Sequence, residues 1–272
     1  MKKILSFFKG TYLAVMLAFL YAPILLLVVF SFNSSKSRAV WGGFTFKWYL
    51  NLFEDPTIMS ALTTTLLVAV MAAGIATVIG TLAAIGLYGM RKGVRTLVLN
   101  ISYLPVINPD IVTGISLMIL FIAMRLELGL VTMLMAHVVF NIPYVIFSVM
   151  PKLTQMDRNV YEAALDLGAT PGQALRRVIL PQIMPGVITG LILSFTLSID
   201  DFVISFFTSS TVQNLSIYIY SAARRGINPS MYALMTLMFV TVLLLLLLVN
   251  RRTERAAERA EAARRDGIPM DM

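Results

Sequence analysis

The chain has 272 residues, of which 58% are apolar and 13% charged, with a net charge of +8 and no cysteine, and its mean hydropathy is +0.82. Soluble domains are roughly 45–50% apolar and about 25% charged, so this composition excludes a soluble globular protein. The absence of cysteine also excludes a disulfide scaffold, a thiolate metal site and a cysteine nucleophile. The sequence therefore predicts an all-α, polytopic membrane protein.

Long uncharged stretches predict six membrane-spanning helices, because each crossing needs about 20 apolar residues. Prolines within or beside these stretches predict kinks. The spans run approximately over 12–32, 61–88, 97–124, 130–150, 183–209 and 231–250. The first is predicted to be retained and not removed as a signal peptide, since no small-x-small cleavage site follows it. We predict a single transmembrane domain over 1–272, with a core at about 57–250, a cytoplasmic loop at 151–182 and a cytoplasmic tail at 251–272.

Lys and Arg are distributed unevenly between the two sets of connecting segments. Sixteen of the 22 fall on the side that holds both termini. Because the cytoplasmic side carries the basic excess, both termini are predicted to be cytoplasmic. The net positive charge is thus attributed to topology and to contact with anionic membrane lipid, and not to nucleic-acid binding. The six basic residues on the outer side are Lys36, Arg38, Lys47, Arg125, Arg224 and Arg225.

An aromatic-rich segment follows the first span. We expect it to form an amphipathic helix in the outer interface, as a membrane anchor and not as a binding site. Its apolar residues are Trp41, Phe44, Phe46, Trp48, Tyr49, Leu50 and Phe53. At the other end of the chain, the Ala-rich run 253–265 predicts a solvated helical extension of the last span, with partner docking as an alternative.

The loop at 151–182 is the least apolar interior stretch, and a loop of this length within a compact bundle is usually functional. Gly168 is suited to end a first helix, and Pro171 is suited to begin a second. We expect two short helices at an angle on the cytoplasmic face. The apolar face of the first would comprise Val160, Ala163, Ala164 and Leu167.

The loop contains Glu162-Ala163-Ala164, then three residues, Gly168, nine residues and Val178-Ile179-Leu180-Pro181. This pattern resembles the EAA loop of the permease subunits of binding-protein-dependent ABC importers, with Val178 where Ile is usual. The resemblance implies a coupling helix that lies in a cleft of an ATPase subunit and reorients the spans when ATP binds. Glu162 would pair there with a basic or amide group; the alternative is that Glu162 only caps a surface helix.

Three acidic residues lie within the predicted spans, and no Lys or Arg lies deep enough to neutralise them. They are Asp110, expected near the midplane, and Asp200 and Asp201, expected in the outer half. Intramembrane charges are costly and usually functional, so an acidic path favours a cationic substrate. Proton relay and structural pairing with a second subunit are the alternatives. Adjacent helical residues point about 100° apart, so Asp200 and Asp201 can face one path only if the helix is broken there.

The one histidine, His137, lies in the fourth predicted span. A lone intramembrane histidine is expected to hydrogen-bond a neighbouring helix and not to bind a ligand.

Three segments carry a second resemblance: Ser31-Phe32-Asn33-Ser34-Ser35, Asn108-Pro109-Asp110-Ile111-Val112, and the run 193–207 that contains Asp200-Asp201-Phe202. They resemble the C-type permeases of spermidine/putrescine ABC importers over nearly the whole chain, except the last twenty or so residues. The resemblance implies the bacterial inner membrane, a homologous B-type permease, two ATPase subunits and an extracytoplasmic polyamine-binding protein as partners.

Spermidine and putrescine require carboxylates for their ammonium groups and aromatic faces for their alkyl stems. Membrane packing is the alternative explanation for each aromatic residue. The candidate substrate path therefore comprises Asp110, Asp200, Asp201, Asn108, Tyr103 and Phe202, with Phe206 and Phe207 as further aromatic candidates.

The chain contains no GxxxxGK[ST] motif, so it lacks the phosphate-binding loop of ATPases. It has no Ser/His/Asp constellation and no metal-ligand spacing either. We therefore predict a transport subunit and not an enzyme, with ATP and Mg²⁺ bound by the partner ATPases. Two rivals stay open: a permease of the same architecture for another cationic or neutral organic solute, and a channel or carrier that works without ATP.

Overall fold

The computed structural model describes residues 2–37, 39–226, 228–241 and 243–244. Among these residues, the only β-structure is an isolated antiparallel bridge between Asn33 and Phe44. The predicted all-α class is thus confirmed. The helices are α1 (Lys2–Ser31), α2 (Lys47–Glu54), α3 (Pro56–Gly89), α4 (Lys92–Ile107), α5 (Asp110–Ala123), α6 (Leu130–Gln155), α7 (Arg158–Asp166), α8 (Pro171–Ala174), α9 (Leu180–Asp200), α10 (Val203–Thr208), α11 (Leu215–Arg225) and α12 (Pro229–Thr241).

Within the described residues, four helices are long and apolar enough to cross a membrane: Gly10–Ser31, Pro56–Gly89, Leu130–Gln155 and Pro171–Asp200. They correspond to the first, second, fourth and fifth predicted spans. The predicted sixth span begins as the shorter apolar helix α12. The end of that span and the predicted tail helix lie outside the described residues.

The chain is interrupted inside two of the predicted spans. The interruption of the third is a kink of the kind that its prolines predict, whereas the continuous helix predicted for the fifth is wrong. The third predicted span consists of α4 and α5, which are bent by 104°. Pro109 causes this bend, since it lacks an N–H and forces the preceding residue, Asn108, into an extended conformation. The fifth span does not continue to Ser209: its helix ends at Asp200, and Asp201 is extended with φ −65° and ψ 123°.

The chain forms two compact units, Thr57–Ser221 and the described parts of Met1–Pro56 with Ala222–Met272. In the first unit, α6 packs closely against α3 and α9 because glycines face it. A Cβ on Gly80 would lie 2.7 Å from Val145 Cβ, and a Cβ on Gly186 would lie 2.8 Å from the Ser148 carbonyl oxygen. Such small residues are typical of helix contacts in membranes, where close packing provides much of the stability.

In the terminal unit, Asn33 organises the turn that follows α1. Its side chain accepts from the Ser35 and Gly42 amides and donates to the Val40 carbonyl. The Asn33 carbonyl accepts from Trp48 Nε1 at 2.6 Å, which ties α2 to this turn. The expected aromatic helix is thus confirmed as α2, and its location in the membrane interface stays a prediction.

Candidate functional site

The break after α9 separates the two adjacent aspartates into different environments. Asp200 is the last residue of α9 and is exposed, whereas the Asp201 side chain is only 7% exposed. The Asp201 carboxylate accepts from the Ile204 amide at 3.2 Å and the Ser205 amide at 2.7 Å. Asp201 therefore caps α10, because these first amides of a helix have no partner within it. Asp200 has no such structural role.

His137 lies beside this cap. Its Nε2 atom is 2.9 Å from Ser205 Oγ and 3.4 Å from Asp201 Oδ2, and the side chain is fully buried. The prediction that His137 bonds a neighbouring helix is confirmed. Sequence reasoning missed the Asp201 contact because only Lys and Arg were considered as partners for the acids. Histidine and aspartate are both rare within membrane spans, so the presence of one of each in neighbouring spans was the signal from which this contact could have been predicted.

Asn214, in the segment before α11, also reaches the break and was not predicted. Its Nδ2 atom donates to the Asp201 carbonyl at 3.1 Å and lies 2.8 Å from Ser205 Oγ. Its Oδ1 atom accepts from the amide of Ile217, in the first turn of α11. One buried amide thus connects the break to the start of the next helix.

Asp110 and Asn108 flank the other break. Asn108 ends α4, with its amide donating to the Leu104 carbonyl at 3.0 Å, and Asp110 is the exposed first residue of α5. A carboxylate in the first turn of a helix is stabilised by the helix dipole. Asp110 therefore stabilises the start of α5, whether or not it also binds a substrate. Tyr103 is half-exposed on α4, and its ring packs edge-on against Phe147.

The helices that follow the two breaks pack together. Gly114, one turn after Asp110, lies so close to α10 that a Cβ on it would be 3.1 Å from Phe207 and 3.4 Å from Ile204 Cα. Leu117 and Ile204 share one hydrophobic cluster with residues of α6. The two acidic segments are therefore linked through the contact of α5 with α10.

Aromatic rings gather directly after the Asp200 break. The Phe202 ring lies 4.5 Å from that of Tyr220 and 5.5 Å from that of Phe206, between centroids. Phe206 and Tyr220 are each about half exposed. Phe202 and Phe206 were predicted candidates, and Tyr220 was missed. Packing accounts for their mutual contacts, and the exposed ring surface leaves π-faces open to a ligand.

The loop at 151–182 is built around two helix caps. Asp157 begins α7 by accepting from the Asn159 amide at 3.0 Å, so the N-cap of this helix is Asp157 and not Glu162. Gly168 follows α7 with φ +88°, the left-handed conformation that ends many helices, which confirms its predicted role. Thr170 and Gln173 then form a reciprocal capping box at the start of α8.

The second helix of the loop is not a separate short helix, contrary to the prediction. From Pro171 the chain stays helical to Asp200, through a π-helical turn at Leu175–Ile179. Pro181 follows this turn, at the start of α9. A proline removes one helical hydrogen bond, and a π turn is a common way to accommodate such a loss. The loop is thus continuous with a candidate membrane span.

An open cavity of about 580 Å³ separates the loop from the end of α3. Residues of α7 and its C-cap are left uncovered beside it: Glu162 and Ala163 are exposed, Ala164 is partly buried, and the C-cap Leu167 is 88% exposed. The cavity is lined by Ile85, Tyr88, Gly89, Met90, Met156, Tyr161, Glu162, Pro171, Gly172, Leu175 and Ile179. In the part of the chain that the structure describes, no group of three His, Asp or Glu residues is arranged to hold a metal ion.

Long apolar helices, interrupted in two of the predicted spans, are typical of a polytopic membrane protein. Residues 76–259 match the family described as binding-protein-dependent transport system inner membrane component. The chain belongs to this family. It is therefore a multi-pass inner-membrane permease subunit of an ABC importer, and not an enzyme.

Two relatives come from Escherichia coli K12. The putrescine transport system permease protein PotI is 41% identical over 233 residues, covering 82% of this chain and 83% of the relative. The spermidine/putrescine transport system permease protein PotC is 39% identical over 240 residues, covering 88% and 91%. A bacterial ABC transporter involved in the import of the acidic polysaccharide alginate shares the fold, with a TM-score of 0.69 at 18% identity over 94% of this chain and 96% of that one.

Proposed function

We propose that this chain is a transmembrane subunit of an ATP-driven importer of polyamines such as spermidine and putrescine. The observation that carries the proposal is the exposed carboxylate of Asp200 at a helix break, followed directly by the rings of Phe202 and Phe206. The names of the two E. coli relatives support the same substrate class.

A polyamine is a flexible alkyl chain with several ammonium groups. Carboxylates attract the ammonium groups, and aromatic faces bind both the charge and the alkyl stem. Asp200 and Asp110 supply exposed carboxylates, and no ion pair to either is found among the described residues. Asn108, Tyr103 and Phe202 line the same path. Asp201 contributes indirectly, since its oxygens are already bonded to α10.

Energy reaches this path through α7. A homologous B-type permease completes the pore, and an extracytoplasmic binding protein delivers the polyamine. Two ATPase subunits bind ATP and Mg²⁺, and α7 lies in a cleft of one of them with Glu162 bonded to a basic or amide group. The continuous helix from Pro171 to Asp200 supports this coupling, because a displacement of the loop is carried directly to the Asp200 break. Both termini lie in the cytoplasm.

The experiment is uptake of radiolabelled spermidine by the complete transporter. Asp200→Asn and Asp110→Asn keep side-chain size and remove one charge each, and we expect each to lower the uptake rate at least tenfold. Glu127→Gln is the matched control, because Glu127 is exposed in the connection between α5 and α6 and lies on neither break. Uptake that stays normal in both aspartate variants, at equal protein amounts, contradicts the proposal.

Competition experiments separate the proposal from a permease for another solute. Excess putrescine, lysine, choline or maltose is added during spermidine uptake. The proposal requires that only diamines and longer polyamines compete at low concentration. If an amino acid or a sugar inhibits spermidine uptake as strongly as putrescine does, the chain belongs to a transporter for another substrate.

A second measurement tests the alternative of a channel or carrier that works without ATP. Spermidine uptake must stop when the ATPase subunits are omitted from reconstituted vesicles. Glu162→Lys is expected to abolish uptake in the complete system, because it reverses the charge offered to the ATPase. Uptake that persists without the ATPase subunits favours the channel or carrier.

A further inference from the structure

The break after α9 is surrounded by a buried polar cluster, defined as His137, Asp201, Ser205 and Asn214. The four residues come from α6, the break itself, α10 and the segment before α11. His137 and Ser205 are fully buried, and Asn214 is 2% exposed. Polar groups buried in this way lower stability unless they bond one another. The bonding pattern therefore shows what the cluster does.

Ser205 is the centre of the cluster. Its hydroxyl donates to Asp201 Oδ2 at 2.8 Å and accepts from Asn214 Nδ2 at 2.8 Å. His137 Nε2 is its third partner, at 2.9 Å. A hydroxyl has one hydrogen and two lone pairs, so the remaining lone pair requires a donor. The pattern thus assigns the His137 proton to Nε2, which donates to Ser205.

The cluster also replaces one missing helical hydrogen bond. In an uninterrupted helix, the Ser205 amide would donate to the Asp201 carbonyl four residues earlier. Here the Asp201 carboxylate accepts from that amide at 2.7 Å, and Asn214 donates to that carbonyl at 3.1 Å. Both halves of the lost bond are satisfied by side chains. The break is therefore fixed by tertiary contacts, without a proline or glycine at 199–204.

We propose that His137 and Asn214 are positioning residues of the substrate path, which hold Asp201 inside the bundle and so keep the Asp200 carboxylate at the exposed end of α9. This inference rests on the proposed function, in which Asp200 binds an ammonium group of the polyamine. When the cluster is disrupted, Asp201 is released from its cap and the break relaxes. Asp200 then loses its fixed position, and substrate affinity decreases.

Kinetics of spermidine uptake provide the first test. His137→Gln keeps a nitrogen donor near the position of Nε2, whereas His137→Leu removes it. Ser205→Ala removes the central hydroxyl with little change in volume and serves as a second variant if His137→Leu does not fold. We expect His137→Leu and Ser205→Ala to raise KM about tenfold with the maximal rate within threefold of the unsubstituted protein. His137→Gln is expected to raise KM no more than twofold.

Cysteine labelling provides a test that needs no polyamine. The chain contains no cysteine, so Asp200→Cys introduces a single thiol into it. The rate of reaction with a cationic methanethiosulfonate reagent then reports the position of residue 200. We expect His137→Leu and Ser205→Ala to change this rate at least fivefold and His137→Gln to leave it within twofold. If spermidine is not the substrate, this labelling still decides whether the cluster positions residue 200.

Thr132→Val is the matched control. Thr132 donates to the Thr208 carbonyl at 2.8 Å, so it joins α6 to the opposite end of α10 without touching the cluster. This nearly isosteric change is expected to leave both KM and the labelling rate unchanged. Unchanged KM and labelling in His137→Leu and Ser205→Ala, or the same changes in Thr132→Val, would overturn the inference.

Discussion

A single peptide bond separates two aspartates that have different roles. Asp200 ends a helix with its side chain exposed, whereas the Asp201 carboxylate accepts hydrogen bonds from two amides of the next helix. A carboxylate that accepts from backbone amides is stabilised where it lies and is a poor site for a mobile cation. Charge alone therefore does not define a transport residue in this protein; the hydrogen bonds already made decide which carboxylate is open.

Asn33 illustrates how one side chain determines a loop. Asn33→Ala removes an acceptor used by two amides and a donor used by the Val40 carbonyl. Because Asn33 is buried, we expect a cost of about 1–3 kcal/mol and a loosened turn. Trypsin added to the detergent-solubilised protein should then cleave after exposed Lys36 several times faster than in the unsubstituted protein. The Ser37→Ala variant loses only an exposed 3.3 Å hydrogen bond from the Ala39 amide, and trypsin should cleave it at the normal rate.

Gly168 provides a second test at the scale of one residue. A Cβ at this position would meet nothing within 4 Å, so any effect of substitution comes from the φ of +88°. Asn tolerates this conformation better than Ala, and a β-branched residue tolerates it least, with penalties of about 1–2 kcal/mol. Spermidine-stimulated ATP hydrolysis should therefore decrease in the order Gly, Asn, Ala, Val. Gly93→Ala, on an exposed helical turn without close contacts, should have no effect, and equal activity in the whole Gly168 series would be inconsistent with a fixed turn.

At the scale of the helix, close packing and helix breaks have different origins. The contact between α6 and α9 follows from small residues on α9, which a sequence displays directly. The α4–α5 bend also follows from a local signal, since Pro109 restricts the residue before it. The break at Asp201 has no local signal. It depends on Asn214 and on His137, which lies 68 positions before its bonding partner Ser205 in the sequence.

Features that follow from neighbouring residues could be predicted from the sequence, and features that depend on distant residues could not. The long helices, the end of α7 at Gly168 and the start of α8 at Pro171 follow local rules and were predicted. The apolar run continues past Asp200, so hydropathy alone extended the fifth span to Ser209. The role of Tyr220 in the aromatic cluster was also missed, because its contacts with Phe202 and Phe206 cross from one helix to another.

Gly186→Ala tests the packing of α9 on α6. The added Cβ would lie 2.8 Å from the Ser148 carbonyl and 3.2 Å from Val149 Cα, and backbone atoms cannot move aside as a side chain can. We expect a loss of about 1–3 kcal/mol, the usual cost of overpacking a tight core. Thermal unfolding in detergent should occur at a lower temperature than for the unsubstituted chain. Gly74→Ala on α3, where a Cβ meets nothing within 4 Å, should unfold at the normal temperature.

At the scale of the molecule, one continuous helix joins the loop that contains α7 to the acidic break. Its first residue, Pro171, lies next to the Gly168 turn, and its last residue, Asp200, is exposed at the break. At about 1.5 Å per residue, these ends are some 45 Å apart. A continuous helix of this length connects a displacement of the loop with the break, which fits a permease subunit of an ABC importer.

A substitution at Leu167 tests where the ATPase subunit binds to this chain. Its side chain, directly after α7, is 88% exposed, and an apolar side chain exposed in this way is suited to be covered by a partner protein. Leu167→Ser removes apolar contact area without disturbing the fold, so we expect the chain to be made and inserted normally. The amount of ATPase that co-purifies with it should fall at least fivefold, and spermidine uptake should fall in proportion. Val94→Ser, at an exposed apolar position near the start of α4, should retain the ATPase. Normal co-purification with Leu167→Ser would place the ATPase contact elsewhere on the cytoplasmic surface.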